Sequence, residues 1–484
     1  MTQGCFIGID QGSSSTKALV LGTEGQVVFS TRKNLGPPYR EGLQVEQDPI
    51  EILTSVTDVL NESAQAISSA GQAVLGVGLS CQRSSCLAWN ESTGEPLSPL
   101  ISWRDTRGVD FLDTLSAREA RIFDLSGLPL TPYYSASKFR WLKENIPAAQ
   151  LESTVFGTLS SFLVQRLTGD PRAVIDHTNA ARTQLLNILS LEWDKELMEI
   201  FSLSGIRLPA IRPTVHAFGP VQIPSGKAPL LACAGDQQAA MTGLGVLEKG
   251  DGGINYGTGG FLMVNTGSEL APAKGLMASI QYSTDADQYY LLEGSVNAVG
   301  DALEWLRNRL HLFGDYAEVD DLCWKAATDV VAFLGINGTG APHWESGIST
   351  AMHGLTTEST SADIVRGAVE NITFFMEDIA EAIREAGIEP RSFSISGGLS
   401  SLEYLIQVQA DILLKSITVS PEKEVSAMGA ALLAGMQQGT WSAKDIKKLV
   451  SAGETFAPAK NPGVERRYRR WKVLHRVTRE IDRI

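Results

Sequence analysis

The sequence predicts an α/β protein built from two large domains. Its 484 residues exceed what one core ordinarily organises, because a domain usually has about 100–200 residues. Strand-like and helix-like hydrophobic patterns alternate along the chain, which is typical of α/β folds. A strand–turn–strand pattern near the start returns near residue 250, so we expect one domain over residues 1–247 and a second over 248–484.

The charge balance excludes nucleic acid as the main partner. The formal net charge is −14, whereas a phosphate backbone needs a clustered basic surface. The one basic run, Glu465 to Arg476, is predicted to be the solvated face of a terminal helix. No run of about 18 apolar residues exists and the start does not resemble a signal peptide, so we expect no membrane insertion and a cytoplasmic location.

The five cysteines are widely spaced and odd in number, which predicts reduced structural thiols. The six histidines show no metal-binding spacing. We therefore expect any metal to be a hard cation held by carboxylates, water and phosphate.

The elements that matter most are two hairpins and the helices around them. In the first half we predict strands over 5–9, 17–21 and 27–28, a turn at 11–14, a helix from about Asp48 and a buried strand over 74–81. In the second half we predict strands over 254–256 and 261–264 around a turn at 257–260. An amphipathic helix within 362–387 ends at Gly387, and a strand, a glycine pair and a helix follow over 392–413.

The two hairpin turns combine glycines with hydroxyl side chains, one turn in each half. Backbone N–H and hydroxyl donors in such turns bind anions, most often phosphate. Two turns facing each other would hold one polyphosphate chain from opposite sides. The expected donors are Gly12, Ser13, Ser14 and Ser15 in the first turn, and Thr258 and Gly259 in the second.

Residues beside these turns extend the same interpretation. Asp10 is expected to hold Mg²⁺ against the phosphates. Lys17 either adds positive charge there or ends a strand in solvent. The pair Gly397–Gly398 either lets a ribose or a flat ring approach the backbone or makes an ordinary turn. Together with the two hairpins, it favours a nucleotide.

A further carboxylate, Asp236, follows an apolar strand and precedes a helix predicted to begin near Gln237. At a strand end beside a helix N-terminus it stays ionised and faces a cleft. It either accepts a proton from an attacking hydroxyl or caps the helix, and this stretch alone favours the cap.

Ten stretches, in the same order and over nearly the whole chain, resemble the FGGY family of carbohydrate kinases, and its glycerol-kinase-like members most. The stretches are IDQGSSSTKALV, CQRSSCLAW, ISWRDTR, SGLPLTPYYSASKFRW, DHTNAARTQLLNILSLEWD, AGDQQAAMTGLG, NYGTGGF, GTGAPHWESG, ISGGLSS and VSAMGAALLAG. The resemblance implies the actin-like ATPase (ribonuclease H-like) fold, with the nucleotide in the cleft between two domains. It also implies ATP and Mg²⁺ as cofactors.

The resemblance implies a role for each matching residue. It implies that Asp236 is the catalytic base and that Asp10 and Asp236 bind magnesium. The implied acceptor pocket consists of Gln82, Arg83, Ser84, Trp103, Tyr133, Asp236, Gln237 and Phe261. The implied ATP side consists of the hairpin donors with Lys17, Gly300, Gly397, Gly398 and Leu402.

Two positions depart from the pattern of glycerol kinases. Ser84 stands where those enzymes carry Glu, which removes a carboxylate and leaves room. Arg83 would then have donors freer to bind substrate oxygens. Leu402 replaces an Asn, so we expect apolar contacts at the adenine edge.

The expected function is transfer of the ATP γ-phosphoryl group to a primary hydroxyl of a small polyol or sugar. The Ser84 departure keeps a four- or five-carbon polyol or ketose open as the acceptor. An actin-like ATPase without a sugar substrate is the interpretation outside this class. The sequence leaves the oligomeric state open, a homo-oligomer included.

Overall fold

The computed structural model describes residues 4–450 and 453–484. Its strands are β1 Gly4–Gln11, β2 Ser15–Gly22, β3 Val27–Asn34, β4 Tyr39–Glu41, β5 Gln44–Gln47, β6 Ala73–Cys81, β7 Cys86–Asn90, β8 Leu100–Ile101, β9 Thr154–Thr158, β10 Val174–Asp176, β11 Ala210–Arg212, β12 Val215–Ile223, β13 Gly226–Gly235, β14 Asp251–Tyr256, β15 Gly260–Gly267, β16 Met277–Ser283, β17 Gln288–Val296, β18 Val331–Phe333, β19 Ala351–His353, β20 Ser392–Gly397, β21 Ile417–Val419 and β22 Glu454–Phe456.

The α-helices are α1 Pro49–Ser69, α2 Val109–Asp113, α3 Glu119–Ser126, α4 Ser135–Asn145, α5 Ala148–Leu151, α6 Leu159–Thr168, α7 His177–Ala181, α8 Lys195–Ile200, α9 Asp236–Gly243, α10 Gly300–Asn308, α11 Val319–Lys325, α12 Ser361–Glu385, α13 Glu403–Leu413, α14 Val425–Gln437, α15 Ala443–Val450 and α16 Pro462–Ile481. Short 3-10 turns cover Ser116–Arg118, Tyr316–Glu318 and Gly398–Ser401.

The first half is built on a six-stranded sheet in the order β12-β13-β6-β1-β2-β3. Strands β1, β2 and β3 form the predicted antiparallel meander, and β6 and β13 run parallel to β1. The turn between β1 and β2 is shorter than predicted, because Gln11 already pairs with Thr16 inside the hairpin.

The second half repeats this arrangement. Its seven-stranded sheet has the order β16-β17-β15-β14-β20-β21-β22. Strands β14, β15 and β17 pair antiparallel, and β20 and β21 continue the sheet parallel to β14. The predicted architectural duplication is therefore confirmed, whereas the boundary at residue 247 stays a prediction.

The predicted helices begin and end where their capping residues stand. The Asp48 side chain accepts a hydrogen bond of 2.8 Å from the Ile50 N–H and Pro49 opens α1. At the start of α12, Thr360 and Asp363 form a capping box. Gly387 follows α12 with a φ of +82°, the left-handed conformation that glycine adopts most easily.

The terminal helix α16 differs from its prediction. Arg467 is buried, and its Nε and Nη2 atoms donate to Glu370 of α12 at 2.7 and 2.6 Å. Trp471 is fully buried one turn later. The basic run is therefore only partly a solvated face, because α16 packs on α12 through one of its sides.

A cluster of two histidines and one carboxylate contributes to the packing of α16 through His475. One ligand atom from each of His343, Asp378 and His475 lies within 4.8 Å of the others. His343 Nε2 is 2.8 Å from Asp378, and His475 Nε2 is 2.6 Å from Glu345. Tyr468 donates to the second oxygen of Asp378 at 2.6 Å, so hydrogen bonds within the protein account for the cluster.

The composition also led to predictions about the cysteines and about membrane-spanning helices. All five cysteines are buried and free, as predicted. Within residues 4–450 and 453–484, no helix combines the length and the apolar character needed to cross a membrane.

Helix α14 lies in the sequence of the second half but packs against the sheet of the first. Its residues Ala427, Ala431 and Leu432 share a hydrophobic cluster with Phe6 and Leu19 of that sheet. Glycines allow the close approach. A Cβ on Gly429 would lie 1.7 Å from the Ala239 carbonyl oxygen of α9.

We expect Gly429→Ala to destabilise the protein although it replaces glycine inside a helix. Helix propensity alone would make the alanine variant about 1 kcal/mol more stable than the native protein. The added methyl group meets rigid backbone, so we expect a net loss of about 2–4 kcal/mol, measured as a lower thermal midpoint. Gly314→Ala is the control, because its nearest atom is a flexible Glu318 side-chain oxygen at 3.4 Å. Equal midpoints for the two variants would contradict this packing.

Candidate active site

Two carboxylates meet at one edge of the first sheet because neighbouring parallel strands end there. Asp10 of β1 pairs in register with Ser80 of β6, and Ser80 pairs with Ala234 of β13. Asp236 follows β13 directly and starts α9. The Ser80 hydroxyl donates to Asp10 Oδ1 at 3.1 Å.

The electrostatics of this edge are unfavourable for two negative charges. Burial and then the charge of Asp236 raise the pKa of Asp10 to about 7. Burial also raises the pKa of Asp236, while the Arg83 guanidinium opposes that shift. Asp10 is thus protonated more readily than an ordinary aspartate, and a cation would relieve the repulsion.

Asp236 presents one carboxylate oxygen outward. Oδ1 lies 3.1 Å from Arg83 Nε and accepts a 2.7 Å hydrogen bond from the Gln237 N–H. The other oxygen accepts no hydrogen bond from the residues that the structure describes, and the side chain is 30% exposed. This oxygen is therefore accessible to a proton donor.

Arg83 is held by a second carboxylate. Its Nη1 and Nη2 atoms donate to the two oxygens of Glu293 on β17, both at 3.2 Å. Arg182 also donates to Glu293. Burial alone would raise the pKa of Glu293, but Arg182 and Arg83 hold it below its ordinary value. The expectation that Arg83 has free donors is wrong, because Glu293 occupies them.

Ser84 uses its hydroxyl inside the protein. The residue is buried, has a φ of +65°, and donates from Oγ to the Arg182 carbonyl oxygen at 3.2 Å. A role for Ser84 in substrate binding stays a prediction, but any such role would not use a free hydroxyl.

The predicted aromatic residues of the pocket pack together. The rings of Trp103 and Tyr133 lie 6.2 Å apart in an edge-to-face arrangement. Trp103 Nε1 donates to the Ser13 hydroxyl at 3.1 Å, and that hydroxyl donates to Gln82 at 3.3 Å. Ser13, predicted among the phosphate donors, thus has its side chain bonded to acceptor-side residues.

Phe261 lies on the opposite half of the molecule. It is partly buried and packs against an apolar cluster that contains Met241 and Leu244, in and directly after α9. Since α9 begins at Asp236, this packing connects Phe261 to the helix that carries the carboxylate.

The second hairpin turn, between β14 and β15, is exposed at Thr258. The N–H of Gly300, at the start of α10, donates to the Gly257 carbonyl oxygen at 3.2 Å. In the first turn, Ser14 is exposed, whereas Ser15 is buried. The tips of both turns are thus accessible to a ligand.

A cavity of about 580 Å³ brings two predicted nucleotide residues together. It is lined by Tyr316, Ala317, Asp320, Gly398, Leu399, Ser401 and Leu402. The preceding Gly397 has a φ of +105°, and a Cβ there would lie 2.1 Å from the Tyr256 carbonyl oxygen. Glycine is required at this position because β20 passes so close to β14.

Lys17 has a partner. Its Nζ lies 2.6 Å from a carboxylate oxygen of Glu424, just before α14. Its charge also lowers the pKa of Asp10, which it faces across the β1–β2 pairing. Lys17 is therefore not a bare strand end in solvent.

Several residues of this region were not predicted as site residues. Glu293 and Arg182 fix Arg83, as described above. Behind Asp236, the Thr178 hydroxyl accepts from the Gly235 N–H at 2.8 Å, and the buried Asp176 accepts from the Thr178 N–H at 2.8 Å. A polar run such as DHTN beside a buried strand is a local signal for Asp176 and Thr178, whereas Glu293 inside an apolar strand gives none.

Two family models match the chain. The FGGY family of carbohydrate kinases, N-terminal domain, matches residues 5–243, and the C-terminal domain of the same family matches residues 252–438. The chain is a member of the FGGY family of carbohydrate kinases. It is accordingly an ATP-dependent phosphotransferase, as predicted.

Solved structures of three other kinases share this fold. A Plasmodium falciparum glycerol kinase with ADP has a TM-score of 0.92 and 29% identity, over 99% of this chain and 98% of that chain. A xylulose kinase from Lactobacillus acidophilus has a TM-score of 0.84 and 23% identity, over 99% and 97%. A gluconate kinase from the same organism has a TM-score of 0.85 and 22% identity, over 99% and 98%. The predicted two-domain actin-like fold is confirmed.

We expect Asp10→Asn to stabilise the metal-free protein in a pH-dependent way. The folded pKa near 7 lies above the unfolded value, so native stability falls as pH rises toward 7. The neutral amide avoids this loss. Its advantage should grow between about pH 4 and 7 and reach about 4 kcal/mol above that range.

The measurement is the thermal midpoint in chelator, at several pH values, without nucleotide. Asp48→Asn is the control, because asparagine caps a helix about as well as aspartate. A stability difference for Asp10→Asn that does not change with pH would show that the Asp10 carboxylate is not destabilised in the fold.

Proposed function

We propose that the enzyme transfers the γ-phosphoryl group of ATP to a primary hydroxyl of a small polyol or sugar, with Asp236 as the general base. The outward oxygen of Asp236 carries this proposal. It belongs to the carboxylate at the edge of the first sheet whose other oxygen, Oδ1, lies 3.1 Å from Arg83 Nε. A carboxylate in that position suits proton removal from an attacking hydroxyl.

The acceptor would lie on the Trp103 side of Asp236. Trp103 and Phe261 offer apolar faces to its carbon chain. Arg83 would act mainly through Asp236, since Glu293 occupies its other donors. The Gln237 Oε1 atom is buried without a hydrogen-bond partner among the described residues, so a substrate hydroxyl would satisfy it.

The nucleotide would lie on the other side of Asp236. Ser14 and Thr258 at the exposed turns would donate to the phosphates. The cavity beside Gly398 and Leu402 is large enough for a base and is apolar at Leu402. The remaining predicted contacts are Gly12, Ser15, Lys17, Gly259, Gly300 and Gly397.

Asp10 and Asp236 fit a divalent cation. The charge of Asp236 adds to burial in raising the pKa of Asp10, so the two carboxylates offer hard oxygen ligands with excess negative charge. When bound there, Mg²⁺ would neutralise charge on the phosphates. Asp10 would hold it, and Ser80 would orient Asp10.

In the proposed reaction the outward oxygen of Asp236 takes the proton of the acceptor hydroxyl. That hydroxyl oxygen forms a bond to the γ-phosphorus, and the bond to the β-phosphate oxygen breaks to release ADP. The Gln237 N–H and Arg83 Nε keep the carboxylate oriented at Oδ1. Closure of the two halves would exclude water from the transfer.

A four- or five-carbon acceptor is the second candidate. Ser84 is shorter than Glu, and its hydroxyl is bonded inward to Arg182. The pocket would therefore have more length than one with a carboxylate at this position.

The base assignment predicts that Asp236→Asn folds and binds ADP but loses turnover. An amide cannot accept the proton, so kcat should fall on the order of 10²- to 10⁴-fold. Calorimetry of ADP binding and a thermal scan accompany the kinetics. A folded, ADP-binding variant that keeps more than a tenth of the native kcat would rule out Asp236 as the base.

The acceptor is tested by ADP release from the native enzyme with glycerol, erythritol, ribitol, xylulose and ribulose. We expect activity on glycerol to be matched or exceeded by one of the longer compounds. Strict glycerol preference would contradict the longer pocket. ADP release that no acceptor stimulates, without a phosphorylated product, would contradict the kinase proposal and favour an actin-like ATPase.

A further inference from the structure

Lys138 is a charged side chain in the interior of the first half. It lies on α4 and is fully buried. Its Nζ donates to two backbone carbonyl oxygens, that of Tyr133 at 2.9 Å and that of Trp103 at 3.2 Å. These carbonyls belong to separate segments, one after β8 and one before α4.

Burying an ammonium group without a paired carboxylate is unfavourable for stability. Lys138 forms no ion pair with any residue in 4–450 or 453–484, and burial lowers its pKa to about 8. The ionisable groups near it are Cys86, Asp105 and Arg107. The Asp105 carboxylate accepts from Arg107 and from the Val45 N–H at 2.7 Å, so it is already occupied. A residue kept only for packing would not need this charge.

The two residues whose carbonyl oxygens Lys138 binds, Trp103 and Tyr133, explain why a charged residue is buried here. The rings of Trp103 and Tyr133 form the aromatic side of the proposed acceptor pocket, 6.2 Å apart. Tyr133 is half exposed, so the surrounding protein covers only part of its side chain. A donor with several N–H groups can bond both carbonyls at once and set the spacing of the two segments.

We propose that Lys138 is a positioning residue that fixes the acceptor side of the active site by joining the Trp103 and Tyr133 backbones. The proposal rests on the proposed function, in which these two aromatic residues contact the acceptor. Lys138 itself touches neither substrate nor the reacting atoms.

The test compares Lys138→Met with Lys143→Met. Lys143 is a matched control on the same helix, because its Nζ also donates to two carbonyl oxygens, those of Ser202 at 2.9 Å and Ser204 at 3.3 Å. Both of those bonds lie in a loop after α8 that contains none of the predicted site residues. Measurements are kcat, KM for the best acceptor, KM for ATP, and ADP affinity by calorimetry.

For Lys138→Met we expect acceptor KM to rise at least tenfold, with ATP KM and ADP affinity within twofold of native. Such a split indicates lost acceptor binding and not general damage. Lys143→Met should leave all four values unchanged. Equal acceptor KM values in the two variants, or a parallel rise in acceptor and ATP KM for Lys138→Met, would overturn the proposal.

Lys138→Gln keeps the test decisive if the methionine variant does not fold. The amide retains two N–H donors without a charge, so a smaller rise in acceptor KM is expected, again with ATP KM unchanged. A folded glutamine variant with native acceptor KM and raised ATP KM would also overturn the proposal. Failure of the underlying function is distinguishable, because it would appear as absent acceptor-dependent ADP release in the native enzyme.

Discussion

A buried ion pair between Arg83 and Glu293 connects the two halves beside the sheet edge that carries Asp236. Taking both charges out of water is unfavourable, and only complete pairing offsets it. Arg83 meets both oxygens of Glu293 and still reaches Asp236 with Nε. Because Arg182 adds a second positive charge to Glu293, the carboxylate stays ionised and Arg83 stays in place. The orientation of the proposed base thus depends on a contact made across the two halves.

The same edge combines this well-paired cluster with a poorly paired one. Burial and then the negative charge of Asp236 raise the pKa of Asp10, so ionised Asp10 is poorly accommodated at this edge. Carboxylates whose pKa is raised by burial and by a neighbouring negative charge are typical of functional sites.

Local patterns were enough to predict both hairpins, the strand ends at Asp10 and Asp236, and the long helix α12. Alternating apolar residues, glycine turns and capping residues encode such elements within a few positions of the chain. Contacts between distant segments were not predictable. Glu293 stands inside an apolar strand, and its partner Arg83 is 210 positions away in sequence.

Two buried basic residues, Arg467 and Lys138, follow the same rule. Arg467 lies in a run of charges and Lys138 on a polar helix, and sequence alone favours solvent for both. Each is buried together with its acceptors, which are the Glu370 carboxylate of α12 for Arg467 and two backbone carbonyl oxygens, those of Trp103 and Tyr133, for Lys138. Burial of a charge is decided by tertiary partners, which one sequence does not display.

The packing of α14 on the first sheet affects when that sheet can complete its hydrophobic core during synthesis. Domains generally fold in the order in which they leave the ribosome. Here the core of the first sheet includes Ala431 and Trp441, and the Trp441 ring lies 5.0 Å from that of Phe6. The face of the first sheet that carries Phe6 and Leu19 therefore stays uncovered until α14 and Trp441 have been synthesised, when most of the chain has been translated.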